Sequence, residues 1–299
     1  MPITYRPART EDLPRANELV VASINDLCQR HGFGRMATLR PPAFAAFSLR
    51  DEPDGLWVAE VSDQIAGFAF SWVCGDLWFL AQLFVAPGQQ TRGIGQELLR
   101  RTLEHAEKRK AASKALITFS FNSVSQGLYM WHGLFPRCPI YNFTISRNAL
   151  ASEAKSERLR YAPISNSAAH LHELATIDVA VLGVSRAKHH SFLAADGATR
   201  GELLYMGQEC VGYAYICEGH IGPLAVSQRR ALGPAFRTAL DLAAESGAPQ
   251  VTALIPGSSG PALRLAVAAR MRITTPMVLM ATRELRDWVQ YLPRSPGFM

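Results

Sequence analysis

Two glycines, Gly93 and Gly95, stand one residue apart where an apolar strand gives way to an amphipathic helix. The first N–H groups of a helix lack partners within the helix, and the N-terminus carries partial positive charge. Residues without a Cβ let the oxygens of an anion approach those N–H groups closely. The stretch PGQQTRGIGQELLRR at 87–101 therefore predicts a site for a phosphate group.

Two common phosphate motifs fit this stretch poorly. A Walker A loop needs Gly-Lys-Ser/Thr, whereas Gly95 is followed by Gln96 and Glu97. A Rossmann fingerprint needs a third glycine, and Leu98 stands in its place. The alternative without a ligand is a simple packing turn, which requires neither two glycines nor a polar residue at this spacing.

Hydrophobic periodicity predicts the elements that position the loop. A strand over 78–85 precedes it, and a helix after Gly95 follows it. The helix places one apolar face toward a sheet, made of Leu98, Leu99, Thr102, Leu103 and Ala106. Further strands are predicted over 3–6, 56–61, 65–73 and 115–121, helices over 13–30, 42–49 and 124–132, and a strand pair running to 145.

The second half of the chain repeats this pattern. AGFAF at 66–70 is echoed by VGYAY at 211–215, and LFVAPGQQTRGIG at 83–95 by GPLAVSQRRALG at 222–233. Both glycine-containing echoes run into a helix and then a strand. Similarities in the same order indicate an internal duplication of a whole domain.

A small, charged stretch separates the two copies. RNALASEAKSERLR, beginning at Arg147, has no strand pattern. The sequence therefore predicts an N-terminal domain over 1–147, a linker over 148–159 and a C-terminal domain over 160–299.

The loop resembles the Q/R-x-x-G-x-G/A signature of the GCN5-related N-acetyltransferases (GNAT), which bind acetyl-coenzyme A. The resemblance is carried by 85–95, by Asn122-x-x-Ser125-x-x-x-Tyr129 and by Gly133-Leu134. It implies an α+β (mixed α/β) fold with two tandem GNAT-like domains. Each would be a mixed, mostly antiparallel sheet flanked by helices, and the second copy would be degenerate.

The resemblance also implies an acetyl-CoA site in the N-terminal domain. The strand that ends at Val85 is expected to diverge from its neighbour, so that its unpaired backbone binds the pantetheine arm like a further strand. Asn122 would bind pantetheine or simply cap its helix. The expected coenzyme contacts are Leu83, Phe84, Val85, Gln90, Thr91, Arg92, Gly93, Ile94, Gly95, Gln96 and Asn122.

The reaction implied is direct attack of a primary amine on the thioester in a ternary complex. Tyr129 matches the tyrosine that protonates the coenzyme's sulfur in this family, although a core aromatic would also suit its helix. A backbone N–H within 83–85 is expected to bind the oxyanion. A non-catalytic acyl-CoA sensor is the alternative function.

The general base is left open by the sequence. The strand LWFLAQLFV carries no carboxylate, and its Gln82 cannot accept a proton. Glu60, Asp76 and His132, acting through water, are the alternatives.

The second copy departs from the pattern at its chemical positions. The replacements are Ala231 for Gly93, Ser259 for Asn122 and Ala266 for Tyr129. A scaffolding role is expected for this half. Arg186 would either contact substrate or pair with Asp178.

Composition limits the partners. A net charge of +6 comes from scattered basic residues without interleaved aromatics, which favours an acidic small molecule over nucleic acid. Five cysteines without a C-x-x-C pair predict reduced packing residues and no metal site. Without a signal sequence or an apolar run of ~18 residues, no membrane association and a cytoplasmic protein are expected. The amine acceptor, a small molecule or a protein, and the oligomeric state are left open.

Overall fold

A computed structural model describes residues 2–150, 157–286 and 288–299. The chain divides into two compact units. Unit 1 comprises Met1–Ile117, Phe121–Phe135 and Ala281–Arg283, and unit 2 comprises Thr118–Ser120, Pro136–Met280 and Glu284–Met299. Much of the predicted linker, 151–156, lies outside the described residues.

Unit 1 is a five-stranded sheet with helices. Its elements are β1 (Thr4–Pro7), α1 (Leu13–Arg30), α2 (Ala43–Asp51), β2 (Leu56–Val61), β3 (Gln64–Cys74), β4 (Leu77–Val85), α3 (Ile94–Lys108), β5 (Ser113–Phe119) and α4 (Ser123–Trp131). The strand order is β1-β2-β3-β4-β5. β1 to β4 are antiparallel, and β5 runs parallel to β4.

The central strand β3 is buried along almost its whole length because α1 and α3 both pack against it. Of the predicted apolar face of α3, Leu98, Leu99, Thr102 and Ala106 are buried, and Leu103 at its margin is half-buried. Gly67 on β3 makes this packing close, because a Cβ there would lie 2.8 Å from side-chain atoms of both Ile94 and Leu98.

Unit 2 repeats the arrangement around a larger sheet. Its elements are β6 (Phe135–Ser146), β7 (Arg160–Pro163), α5 (Ala168–Leu182), α6 (Ala187–Ala195), β8 (Thr199–Met206), β9 (Glu209–Cys217), β10 (His220–Val226), α7 (Leu232–Glu245), β11 (Gln250–Pro256), α8 (Gly260–Ala268), β12 (Arg272–Ala281) and β13 (Tyr291–Leu292). The strand order is β12-β6-β11-β10-β9-β8-β7, with β13 on β10. α7 is buried along most of its length in the core of this unit.

The registers of the two sheets show which residues correspond. Gly67 pairs with Val85 between β3 and β4, and Gly212 pairs with Val226 between β9 and β10. The N–H groups of the next residues, Ala86 and Ser227, donate to Ala66 and Val211, which again correspond. β10 is therefore the counterpart of β4.

The predicted fold class is confirmed: both units have a mixed, mostly antiparallel sheet flanked by helices. The predicted strand pair near 145 was wrong, because 135–146 form the single long strand β6. β6 pairs with β11 over seven residues and so belongs to the sheet of unit 2. Residues 136–147 were predicted to belong to the N-terminal domain, but in the structure they belong to unit 2. The predicted limits describe where the sequence is duplicated, and in that sense they stay a prediction.

Candidate active site

β4 diverges from β5 halfway along its length. Leu77–Leu80 pair in parallel with Ser113–Leu116, and then the register of β4 with β3 shifts by one residue around Ala81. Among the described strands, none pairs with 81–85 on the side of β5. These residues are half-buried, whereas 77–80 are buried. An unpaired strand edge of this kind suits an extended ligand that adds to the sheet.

α3 begins beside the diverging end of β4. Gly93 precedes its first residue with a φ of 77°, in the left-handed region that favours glycine. A Cβ on Gly95 would lie 3.6 Å from Cγ2 of Val85 and 4.0 Å from Cδ2 of Leu128 on α4. Gly95 therefore leaves open the groove between the end of β4 and α4.

A cleft of about 270 Å³ lies at the start of α3. Its lining residues are Gly93, Gln96, Glu97, Arg100 and His132. Nε and Nη2 of Arg100 donate to the two carboxylate oxygens of Glu97 at 2.8 and 2.7 Å. These hydrogen bonds hold the pKa of Glu97 below its ordinary value. The helix N-terminus and Arg100 supply positive charge, which Glu97 partly offsets.

α4 carries the predicted catalytic residue. Oδ1 of Asn122 accepts from the N–H of Ser125 at 3.2 Å, and its Nδ2 donates to the hydroxyl of Ser125 at 2.8 Å. Asn122 therefore caps the helix, one of its two predicted roles. Tyr129 is buried, and burial raises the pKa of its hydroxyl, which hydrogen-bonds Ser125. The phenol is thus neutral and able to donate a proton.

The other predicted coenzyme contacts lie around the same groove. Leu83, Phe84 and Val85 form the diverging end of β4, Gln90, Thr91 and Arg92 form the loop, Gly93 precedes α3, and Ile94, Gly95 and Gln96 begin it. The side chain of Ile94 is buried in the core against β3, so only its backbone remains for a coenzyme. The carbonyl of Val85 accepts from Nε2 of Gln90 and from the hydroxyl of Ser23, each at 3.3 Å. Nη1 of Arg92 donates to the side chain of Gln89. Contact of these residues with a coenzyme stays a prediction.

Two of the three alternative bases are held in ion pairs. Arg6 donates to both Glu60, on β2, and Asp12. Asp76 precedes β4, at the end opposite the divergence, and forms an ion pair with Arg283 at 2.5 Å. His132 lines the cleft at the end of α4.

Glu97 and Arg100 line the cleft but were not among the predicted site residues. An acid and a base three positions apart on a helix are ordinary surface partners, so their types gave no signal. Their spacing from Gly93 did give a signal, because residues 93, 97 and 100 are four and three positions apart and such positions lie on the same side of a helix.

Arg186 in unit 2 pairs with Asp178, the second of its two predicted roles. Nε and Nη2 of Arg186 each donate to the carboxylate at 3.0 Å, and both side chains are fully buried. Nη2 also donates to the hydroxyl of Tyr213 at 2.7 Å, and Nη1 to that of Tyr291 at 2.9 Å. Burial alone would raise the pKa of Asp178, but the charges of Arg186 and His190 hold it below its ordinary value.

The described part of the chain contains no group of three or more His, Cys, Asp or Glu side chains placed to hold a metal ion. None of the described helices combines the length and apolar character needed to cross a membrane.

The acetyltransferase (GNAT) family matches residues 22–134 in sequence. This match covers the second half of α1 and every element from α2 to α4, and it includes the groove, the start of α3 and Tyr129. No curated protein matches the chain in sequence.

Solved structures resemble the whole chain. A Pyrococcus horikoshii protein described as a candidate acetyltransferase has a TM-score of 0.78 at 20% identity, covering 99% of this chain and 96% of its own. A GCN5-related N-acetyltransferase from Sphaerobacter thermophilus has a TM-score of 0.60 at 16% identity, covering 95% and 97%. A tandem GNAT protein from the clavulanic acid biosynthesis pathway has a TM-score of 0.60 at 15% identity, covering 94% and 98%. At these identities the similarity shows the fold, including its tandem form.

Proposed function

From the match of residues 22–134 to the acetyltransferase (GNAT) family, in a chain with the tandem GNAT fold, we propose that unit 1 is an acetyl-CoA-dependent N-acetyltransferase. The acceptor is a primary amine on a small molecule or a protein. One observation carries the proposal: β4 diverges from β5 beside a helix that begins at a left-handed glycine.

The residues around the groove fit the coenzyme. Its pantetheine arm would add to the free edge of β4 over 83–85, which no described strand covers on the side of β5. Its pyrophosphate would bind the first N–H groups of α3, which helix geometry leaves without intrahelical partners. At Gly95 a longer side chain would project into the groove between β4 and α4.

Bound coenzyme would supply the acetyl group as a thioester. A backbone N–H within 83–85 would donate to the oxyanion that forms when the amine attacks. The hydroxyl of Tyr129, which burial keeps protonated by raising its pKa, would donate a proton to the departing sulfur. Because Glu60 and Asp76 are held by arginines, no carboxylate is assigned as the base, and His132, which lines the cleft, is the remaining alternative.

Release of free thiol from acetyl-CoA in the presence of a panel of amines tests the proposal. We expect Tyr129→Phe to lower the rate by roughly 10²- to 10⁴-fold while leaving acetyl-CoA affinity unchanged, because only the proton donor is removed. Tyr5→Phe, on the edge strand β1, is the matched control and is expected to retain the wild-type rate. A wild-type rate in Tyr129→Phe would remove Tyr129 from the mechanism.

The same thiol-release assay distinguishes an N-acetyltransferase from a non-catalytic acyl-CoA sensor. The sensor is favoured by one observation, the ion pairing of both carboxylates considered as bases. A sensor would bind acetyl-CoA but release no thiol above background with any amine, and Tyr129→Phe would then change nothing.

A further inference from the structure

In unit 2, we infer that β13, held in place by the flanking residues of 288–294, takes the strand-edge position that the pantetheine arm would take in unit 1, so that each chain holds one coenzyme site. The place of the coenzyme in unit 1 rests on the proposed function. The place of 288–294 in unit 2 follows from contacts within that unit.

β10 diverges from its parallel neighbour just as β4 does. It pairs with β11 only at His220 and Ile221, and its register with β9 shifts between Ile221 and Leu224. In both units the parallel pairing therefore ends where the strand has a register shift. The duplicated fold produces the same free edge twice.

β13 covers that edge in unit 2. Leu292 pairs with Leu224, and Tyr291 pairs with Ala225, in antiparallel register. By the pairing with β3 and β9, Leu224 and Ala225 correspond to Leu83 and Phe84, two of the proposed coenzyme contacts. Tyr291 and Leu292 are fully buried. The chain thus pairs with the backbone that the coenzyme would use.

Polar side chains anchor the start of the segment. The hydroxyl of Ser259 lies 2.9 Å from the carbonyl of Trp288 and 3.1 Å from that of Val289. Ser259 corresponds to Asn122, yet it makes no side-chain cap to its own helix α8. Nε2 of Gln290 donates to the carbonyl of Val226, the last residue of β10, at 2.7 Å.

The middle and the end of the segment are also held. Nη1 of Arg186 donates to the hydroxyl of Tyr291 at 2.9 Å. Nε2 of His220 donates to the carbonyl of Arg294. The guanidinium of Arg294 donates to Thr199 Oγ1 at 3.1 Å. The segment, a 3-10 turn over Trp288–Gln290 followed by the short strand β13, is therefore an integrated part of unit 2.

The sequence of unit 2 agrees with this arrangement. Ala231 precedes α7 where Gly93 precedes α3, and its φ of −78° is an ordinary helical value. Ala266, in the place of Tyr129, cannot donate a proton. The copy with the covered edge is also the copy that lacks the phosphate-binding glycine and the acid.

Hydrogen–deuterium exchange on the full chain, with and without saturating acetyl-CoA, tests the inference. We expect the amides of 289–292 to exchange about 100-fold or more slowly than unstructured amides without ligand, and to stay unchanged when acetyl-CoA is added. Amides over 81–85 of β4 should instead gain protection. Fast exchange of 289–292 without ligand, or loss of their protection on adding acetyl-CoA, would overturn it.

Calorimetric stoichiometry provides a second measurement with matched variants. We expect one acetyl-CoA per chain, a loss of at least about 100-fold in affinity for Gly95→Gln, and wild-type binding for Gly233→Gln at the corresponding position of α7. Two sites per chain, or loss of a site in Gly233→Gln, would contradict the inference. If wild-type protein binds no acetyl-CoA while 289–292 are protected, the proposed function fails and the covered edge of unit 2 stands.

Discussion

The two units differ at the strand edge that is exposed where the parallel pairing ends. In unit 1 no described strand pairs with one side of the end of β4, next to a glycine-lined helix start, whereas in unit 2 the corresponding end of β10 is paired with β13. A buried backbone N–H or C=O without a partner is costly, so an edge inside a fold must meet a ligand, water or another part of the chain. A copy that has lost its ligand can therefore keep the fold by covering the edge with its own backbone.

The units also differ in how they hold their charges. Asp178 and Arg186 of unit 2 are fully buried, and the hydroxyl of Tyr291 on β13 contacts Arg186. Arg6 of unit 1 bridges Asp12 and Glu60 near the surface, with about a quarter of its side chain exposed (24%). The covered edge is therefore tied to a buried ionic cluster, whereas the open edge has no such tie among the described residues.

The largest expected effect comes from breaking that cluster. Arg186→Ala takes the guanidinium away from the buried carboxylate of Asp178, which keeps its contacts with His190 and Tyr213. Because the charge of Asp178 then loses its arginine partner, we expect unit 2 to lose about 3–5 kcal/mol of unfolding free energy. Arg6→Ala is the control in unit 1, and its expected cost is about 1 kcal/mol because solvent screens the charges left behind. Denaturant unfolding, with exchange of peptides from each unit, measures both.

A similar small cost for the two arginine variants would contradict the comparison. The cluster would then be incidental to the stability of unit 2. Faster exchange of 289–292 in Arg186→Ala, without a change over 81–85, would instead link the cluster to the covered edge.

Acid pH should weaken unit 2 through His220, which contacts the end of the covering segment. Burial, with the nearby charge of Arg294, lowers the pKa of His220 from 6.5 to about 4. Because the folded state binds the proton more weakly than the unfolded state, its contribution is complete above pH 6.5 and is lost as the pH falls toward 4. A shift of this size corresponds to roughly 3 kcal/mol.

His220→Gln isolates that contribution, because glutamine can donate a hydrogen bond without titrating. We expect the difference in unfolding free energy between wild type and His220→Gln to favour wild type at pH 7.5 and to shrink steadily by pH 4.5. A difference that is independent of pH would show that His220 titrates alike in the folded and unfolded states.

The parts of this architecture that local sequence predicts are those with a regular period or a special backbone. The predicted limits 13–30 and 56–61 coincide with α1 and β2, and the glycine loop lies where its residues indicated. β13 could not be predicted, because a two-residue strand has no period and its partner Ala225 is 66 positions from Tyr291. Neither could the partner of Asp76, since Arg283 lies 207 positions away. Such pairings are decided by tertiary packing.

The smallest expected effects come from substitutions at Asn122 and at Ser259, which occupy corresponding positions in the two units. Asn122→Ala should cost unit 1 about 1 kcal/mol because α4 loses its cap, whereas Asn122→Asp keeps the acceptor for the N–H of Ser125 and should cost little. Asn122→Asp also removes the Nδ2 donor. Because that donor is already used by Ser125, we expect acetyl-CoA affinity to stay within about twofold.

Ser259→Ala is the counterpart in unit 2, where the hydroxyl serves the carbonyls of Trp288 and Val289. We expect about 1 kcal/mol of destabilisation and faster exchange of 289–292, with acetyl-CoA binding unchanged. Calorimetry measures the acetyl-CoA affinity of Asn122→Asp and Ser259→Ala, and hydrogen–deuterium exchange measures the protection of 289–292 in both variants. A tenfold loss of acetyl-CoA affinity in Asn122→Asp would show that Nδ2 of Asn122 turns from Ser125 to the coenzyme, and capping would then be its role only in the free protein.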